Sequence, residues 1–154
     1  MKPSNIYISV LLSIVLFGTA IAQQSKTIDS LKSNLRAIEK MPNSYSRDIS
    51  YLNTYNRLAF QLRVSSPKQA RAYAEKGLAI ARENKLTKYE ADGLLLIGNC
   101  WIVEGNVEKA KAALISCLVI AEREGLKQEK AGCNMSMASI YKNQGNYTSA
   151  IDFY

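Results

Sequence analysis

The 154-residue chain contains no histidine. That absence removes the Ser-His and Cys-His pairs on which most nucleophilic catalysis depends. It also removes the imidazole that would complete a zinc site, because only three cysteines are present, Cys100, Cys117 and Cys133, and no CxxC occurs. Each cysteine lies among apolar or small residues at a helical position, where an unpaired thiol serves as a small buried hydrophobe. No GxGxxG or GxxxxGK[ST] run follows a strand to cradle a phosphate, and no β-strand pattern is visible anywhere. Glu104 and Glu108 are close in sequence but straddle a turn, which reads as two solvated carboxylates. No catalytic, cofactor-binding or metal-binding residue is assigned, and these residues are not expected to form an enzyme.

What is present fits a single folded domain. Hydrophobic residues make up 47% of the chain, ordinary for a globular protein and too many for a disordered one. The net charge is +7, yet the basic residues are scattered and mostly have acidic neighbours, as in Glu75-Lys76, Arg82-Glu83 and Glu122-Arg123-Glu124. Such interleaving marks solvated helix faces, and no nucleic-acid partner is expected.

The N-terminus has its own pattern. Lys2 supplies a positive start, residues 6–17 are nearly all apolar, and Ala20-Ile21-Ala22 places small residues where a signal peptidase reads them. Residues 1–22 are therefore expected to be a secretory signal cleaved before Gln23, placing the protein on the extracytoplasmic or periplasmic side. An uncleaved membrane anchor is the alternative, although the apolar run is short beside the roughly 20 residues a span requires. No cysteine stands directly after the cleavage point to carry a lipid.

Residues 23–27 are polar and expected to be loose. Ile28, Leu31, Leu35 and Ile38 then share one face of a helix over 27–40, ended by Pro42-Asn43-Ser44, and this segment to residue 46 is expected to cover the first helical unit of the domain. From residue 47 to 154 the spacing predicts helices over about 47–64, 67–84, 87–104, 107–124 and 128–144, with a sixth starting near Tyr147. Ser66 and Thr87 are candidate caps, Pro67 suits a first helical turn, and Gly105-Asn106 and Gly145-Asn146 suit a left-handed helix end followed by a cap.

Within this region the chain repeats with a step of 40 residues. Ala70, Leu78, Ala81 and Ala91 fall on Ala110, Leu118, Ala121 and Ala131, and Gly105, Asn106 and Ala110 fall on Gly145, Asn146 and Ala150. Trp101 maps onto Tyr141, and Gly98 onto Ala138. A fixed period of this size predicts an all-α fold, an α-solenoid of antiparallel helix pairs with about three units, the last cut short at Tyr154. The chain is on this reading a fragment of a longer protein.

These residues resemble tetratricopeptide repeats (TPR). Leu94, Ile97, Gly98, Trp101, Gly105, Ala110, Leu114 and Cys117 occupy that pattern's large, small and turn places in the second unit; Met137, Ala138, Tyr141, Gly145, Ala150 and Tyr154 do so in the third. The third unit departs at Asn134, and the first fits only with a shorter turn, through Leu58, Ala59, Leu62 and Ala70. The 40-residue step exceeds the family's usual length of about 34, which implies longer helices. Behind a signal peptide, the pattern is similar to the exported N-terminal regions of bacterial membrane signalling proteins of the Bacteroidota kind, such as TPR sensor histidine kinases. The resemblance implies a non-catalytic domain that binds a protein or peptide, serving as the sensory or scaffold part of an envelope signalling protein. A free-standing secreted or periplasmic adaptor is one alternative, and the N-terminal region of an enzyme whose catalytic domain lies beyond residue 154 is another. Membrane association would come only through an uncleaved signal or a further C-terminal segment.

By the same resemblance, the first helix of each unit lines a peptide groove. Its places hold Asn53, Asn56, Phe60 and Arg63 in the first unit, and Asp92, Leu95, Asn99, Ile102 and Val103 in the second. The third unit contributes Met135, Ser139, Lys142 and Asn143. Asparagine amides suit an extended peptide backbone, and the apolar members offer side-chain pockets. Chaperone-binding members of the family grip a carboxylate with basic residues at places that here hold Asn56, Phe60, Leu96, Gly132 and Ser136, so that activity is not implied. Asn134-Met135-Ser136 and Asn146-Tyr147-Thr148 match a glycosylation pattern by chance.

Overall fold

A computed structural model of the protein describes residues 22–153. Residues 1–21 of the proposed signal segment and Tyr154 lie outside the described residues. The described part is all-α. Helix α1 covers residues 22–38, followed by α2 (Tyr45–Leu62), α3 (Pro67–Glu83), α4 (Thr87–Val103), α5 (Val107–Arg123), α6 (Lys127–Asn143) and α7 (Tyr147–Asp152). From α2 onward each helix packs against the next in antiparallel order, and α4 also touches both α2 and α6. Among the described residues no helix is long and apolar enough to cross a membrane.

The reversals have a common local cause. The connections after α3, α4, α5 and α6 each place one residue in left-handed backbone: Lys85 (φ 55°), Gly105 (φ 77°), Gly125 (φ 67°) and Gly145 (φ 75°). The residue after it donates its N–H back across the last turn: Leu86 to Ala81 O at 2.8 Å, Asn106 to Trp101 O at 2.9 Å, Leu126 to Ala121 O at 2.8 Å and Asn146 to Tyr141 O at 3.0 Å. This bond satisfies a carbonyl that the helix end would otherwise strand, and it turns the chain sharply. The next helix then starts in one of two ways. Asn106 and Asn146 cap it, accepting from Lys109 N and Ser149 N at 3.1 Å each. Leu86 and Leu126 carry no capping group; Leu126 instead packs onto the core.

Small side chains then let the helices close up. Ala59, Ala70, Ala74, Ala91, Ala110 and Ala138 are fully buried at helix contacts. They surround larger residues of one continuous core, including Leu78, Leu94, Ile97, Leu114, Met137 and Ile140. Trp101 is half-buried against this core, with the Arg71 guanidinium 3.8 Å and the Lys109 ammonium 4.5 Å from its ring centre. Phe153 stacks on Tyr141 at 5.5 Å. Helix α1 covers α2: Leu31 and Ile38 are buried, Ile28 packs on Leu62, Ala70 and Cys100, and Gln24 Nε2 donates to Gln61 O at 2.8 Å.

Four local expectations are corrected. Residues 23–27 are helical, because the helix carrying Leu31 continues back through them and Thr27 Oγ1 bonds Gln23 O at 2.9 Å. Ser66 occupies the cap position of α3 but its hydroxyl makes no cap bond; Pro67 and the backbone carbonyl of Ser66, which accepts from Ala70 N, start that helix. Thr87 is the first residue of α4 rather than its cap, which is Leu86. Glu104 is not simply solvated, since it pairs with Arg71 at 3.1 Å with only 11% of its side chain exposed.

Two glycine contrasts test this packing. Lys85 occupies the place that glycine holds in the other three turns, so Lys85→Gly is expected to raise unfolding stability by about 0.5–1 kcal/mol in urea titrations. A Cβ on Gly98 would sit 2.8 Å from Cγ and Cδ2 of fully buried Leu114, whereas one on Gly132 would meet only the Cδ2 tip of half-buried Leu95 closely, at 2.7 Å. Gly98→Ala should therefore cost about 1–3 kcal/mol, while Gly132→Ala, helped by alanine's helix preference, should change stability by less than about 0.5 kcal/mol.

Candidate binding groove

Helix α4 is apolar on nearly every side, with the run Leu94-Leu95-Leu96-Ile97 at its centre. A helix of that composition is stable in water only when neighbours cover most of it. Here α3 and α5 pack along it, and α2 and α6 touch it as well. The remaining strip of α4, together with α2 and α6, forms the floor of a shallow groove.

Two cavities lie along it. The larger, of about 480 Å³, is between α2 and α4 and is lined by Asn56, Arg57, Phe60, Gln61, Asp92, Leu95 and Leu96. The second, of about 310 Å³, spans all three helices and is lined by Arg63, Val64, Asn99, Ile102, Val103, Met135, Ser136 and Ser139. Apolar side chains stand open to solvent at their edges: Phe60 is 52% exposed, Val64 70%, Val103 48% and Met135 64%.

The groove residues read from the sequence divide accordingly. Asn56, Phe60, Asp92 and Leu95 meet at the larger cavity. Arg63, Asn99, Ile102, Val103, Met135 and Ser139 meet at the smaller. Asn53, Lys142 and Asn143 are exposed and line neither; Asn53 Oδ1 instead accepts from Tyr89 OH at 3.2 Å, tying α2 to α4. Arg57, Gln61 and Val64 were not singled out in the sequence. Extending the three-and-four spacing of α2 from Asn53 through Arg57 to Phe60 and Val64 would have found two of them, because those residues share one helix face.

The polar groups are set for different tasks. Ser136 Oγ lies 2.7 Å from Asn99 Oδ1, to which it donates, with Gly132 O as a second acceptor at 2.9 Å. This bond links α4 to α6 and fixes the Asn99 amide with its N–H donors unspent among the described residues. Arg63 lies 3.8 Å over the Phe60 ring and donates from Nη1 to the Phe60 carbonyl. Neither Arg63 nor Arg57 forms an ion pair among the described residues. Asn56 Oδ1 is buried without a hydrogen-bond partner among the described residues, about 3.3 Å from where a Cβ on Gly77 would sit.

Asp92 is the groove's titrating group. Burial, then the negative charge of Glu129 on α6, push its carboxyl up to about 6; Lys88 partly opposes this, and a hydrogen bond with Glu129 reinforces it. Glu129 is itself 5% exposed and makes no ion pair among the described residues. Among those residues no cluster of three or more metal-binding side chains occurs. The two carboxyls form a bridge between α4 and α6 that is held best when it carries a proton.

Comparison with protein-family models, with curated proteins and with solved structures finds no match for this chain.

The carboxyl bridge sets a pH dependence. Asp92 is harder to ionise in the fold than in the unfolded chain, so its contribution is complete below about 3.8 and lost as pH rises through about 6. Asp92→Asn, which cannot ionise and can donate to Glu129, is expected to stabilise the protein at pH 7.5 by about 1 kcal/mol, a value discounted for partial exposure. At pH 3.5 it should leave stability unchanged. Urea midpoints at the two pH values check both.

Proposed function

We propose that this chain is a non-catalytic helical-repeat domain of the tetratricopeptide kind that holds an extended peptide segment of a partner protein along α2, α4 and α6. The solenoid reading rests on the 40-residue step and on the alternation of capped Gly-Asn turns with apolar Lys-Leu and Gly-Leu turns. Stacked pairs of this type bury their apolar faces only against neighbours and leave one continuous face for binding.

The observation that carries the binding role is the row of two cavities across three helices, with apolar walls and, among the described residues, unspent Asn99 donors and two arginines without an ion pair. Apolar cavities accept side chains, and a few fixed polar groups orient what enters. The arginines favour an acidic residue beside the apolar anchors. An extended segment alternating apolar and acidic side chains meets both requirements. In this proposal the domain is exported and acts as the sensory or scaffold region of a bacterial envelope signalling protein.

A random peptide display library tests the reading directly. Enriched peptides are expected to carry acidic residues next to large apolar ones. By fluorescence anisotropy, Phe60→Ala and Arg63→Ala should each weaken the best of them at least about tenfold, while Ile115→Ala, on exposed α5 surface outside the groove, should not. Binding indifferent to Phe60 and Arg63 in variants of unchanged circular dichroism would place the site elsewhere.

A further inference from the structure

The cations of this chain are scattered along the sequence, but the fold collects several of them. Helices α2, α4 and α6 run one way, and α3, α5 and α7 return. The turns 63–66, 104–106 and 144–146 therefore lie along one edge of the stack. Helix α1 begins at that edge too, because Gln24 Nε2 donates to Gln61 O at 2.8 Å and Ile28 packs on Leu62.

The turns and helix ends of this edge are residues 22–26, 59–70, 100–110 and 140–150. They carry Lys26, Arg63, Lys68, Lys109 and Lys142, none of which forms an ion pair among the described residues. Their carboxylates are Glu104, which Arg71 neutralises, and Glu108. The opposite edge is built differently. Its stretches 35–48, 80–90 and 120–130 mix seven carboxylates among their cations, and Arg82 pairs with Glu90 and Lys130 with Glu122 there. Each turn of the first edge also offers an apolar side chain to solvent: Val64, Val103 and Tyr147 in succession. One such residue is ordinary on a protein surface. Three at successive turns, set among unpaired cations, make an amphipathic strip.

We infer that this edge is a docking surface for an anionic lipid bilayer, with Val64, Val103 and Tyr147 entering the interface and the cations lying at the headgroup phosphates. A bilayer surface takes both features at once: its acyl boundary accepts the apolar tips, and its charge attracts the lysines and arginine around them. Tyrosine suits that boundary, because its ring is apolar and its hydroxyl stays wet. A nucleic acid or an acidic protein would pair with the cations but would leave the apolar tips without cover of their own kind. Chain continuity points the same way. The apolar run 6–17 precedes α1 by the residues 18–21, which span at most about 14 Å. A membrane holding that run therefore lies next to this edge. The contact proposed belongs to the folded domain, is separate from any anchor, and does not depend on the peptide groove. Val64 and Val103 also line the smaller cavity, so the test reads at Tyr147, which lies outside it.

The test uses the full chain and vesicles of phosphatidylcholine, alone or mixed with phosphatidylglycerol. The three native cysteines are buried, so an introduced surface thiol takes an environment-sensitive maleimide fluorophore in the folded protein. One variant is Tyr147→Cys, at the end of the stack away from α1; its control is Tyr45→Cys, exposed on the opposite edge. Vesicle-bound protein is isolated by flotation, which holds attachment by any other route equal, and circular dichroism checks the fold. On anionic vesicles the label at 147 is expected to brighten at least about twofold, while the label at 45 stays unchanged. Raising salt to about 0.5 M, or adding Lys68→Glu and Lys142→Glu, should remove most of that gain. Equal signals at the two labels, or a gain at 147 that appears on neutral vesicles and survives both treatments, overturns the inference. So does a chain that fails to float with anionic vesicles, or one that floats while the label at 147 stays dark; the edge is then left to a protein partner or to water.

Discussion

Every helix of this domain is obliged to return along the one before it, and the constraint is steric. After α3, α4, α5 and α6 only three residues are available before the next helix starts, and one of them is left-handed in each case. A chain turned that sharply places successive helices in contact over their full length of about 25 Å. Contact at that length is tolerable only if the crossing points carry little volume, which is why Ala70, Ala74, Ala91 and Ala110 are wholly buried. These alanines contribute little apolar area themselves. Their effect is to bring Leu52, Leu58 and Leu114 to complete burial, at roughly 0.8 kcal/mol for each methylene withdrawn from water.

The groove is a by-product of the same constraint. When each helix doubles back, alternate helices fall on the same side, so α2, α4 and α6 share a face without being joined in sequence. The two sides are then treated differently by charge. Around Trp101, Arg71 finds Glu104 and Glu75 and lies against the ring, leaving a neutralised, well-packed surface. On the groove side neither Arg57 nor Arg63 forms an ion pair among the described residues, while Asp92 and Glu129 interact with each other. Cations beside apolar cavities suit a ligand that carries both an acidic and an apolar group, and that combination is what makes the face a candidate site.

Much of the fold was legible because its determinants are local. Helix ends were readable to within one or two residues over most of α2–α6, since Gly105, Gly125 and Gly145 mark left-handed positions no other residue adopts as readily. The failures were also instructive. Residues 23–27 look like a solvated tail but join α1, and Thr87 looks like a cap but lies inside α4. In the first case the helix that carries Leu31 continues back through the segment, and in the second the left-handed turn at Lys85 brings the chain into helix at Thr87; neither follows from the residue's own preference. The Arg71–Glu104 pair spans 33 positions, and no spacing rule within one helix would have joined them.

The sequence alone determined the number, order and polarity of the helices, the sharpness of the turns and the inward faces, because 3.6-residue periodicity and a positive φ are properties of a few adjacent residues. Only tertiary structure decided which side chains meet at the groove. Residues 53, 57, 60 and 64 share one face of the chain, so it is where α4 lies along α2 that leaves Asn53 bonded to Tyr89 beyond the cavities and sets Arg57 and Val64 at their walls. That placement is set by the fit of buried side chains from several helices at once, which no single stretch of the chain contains.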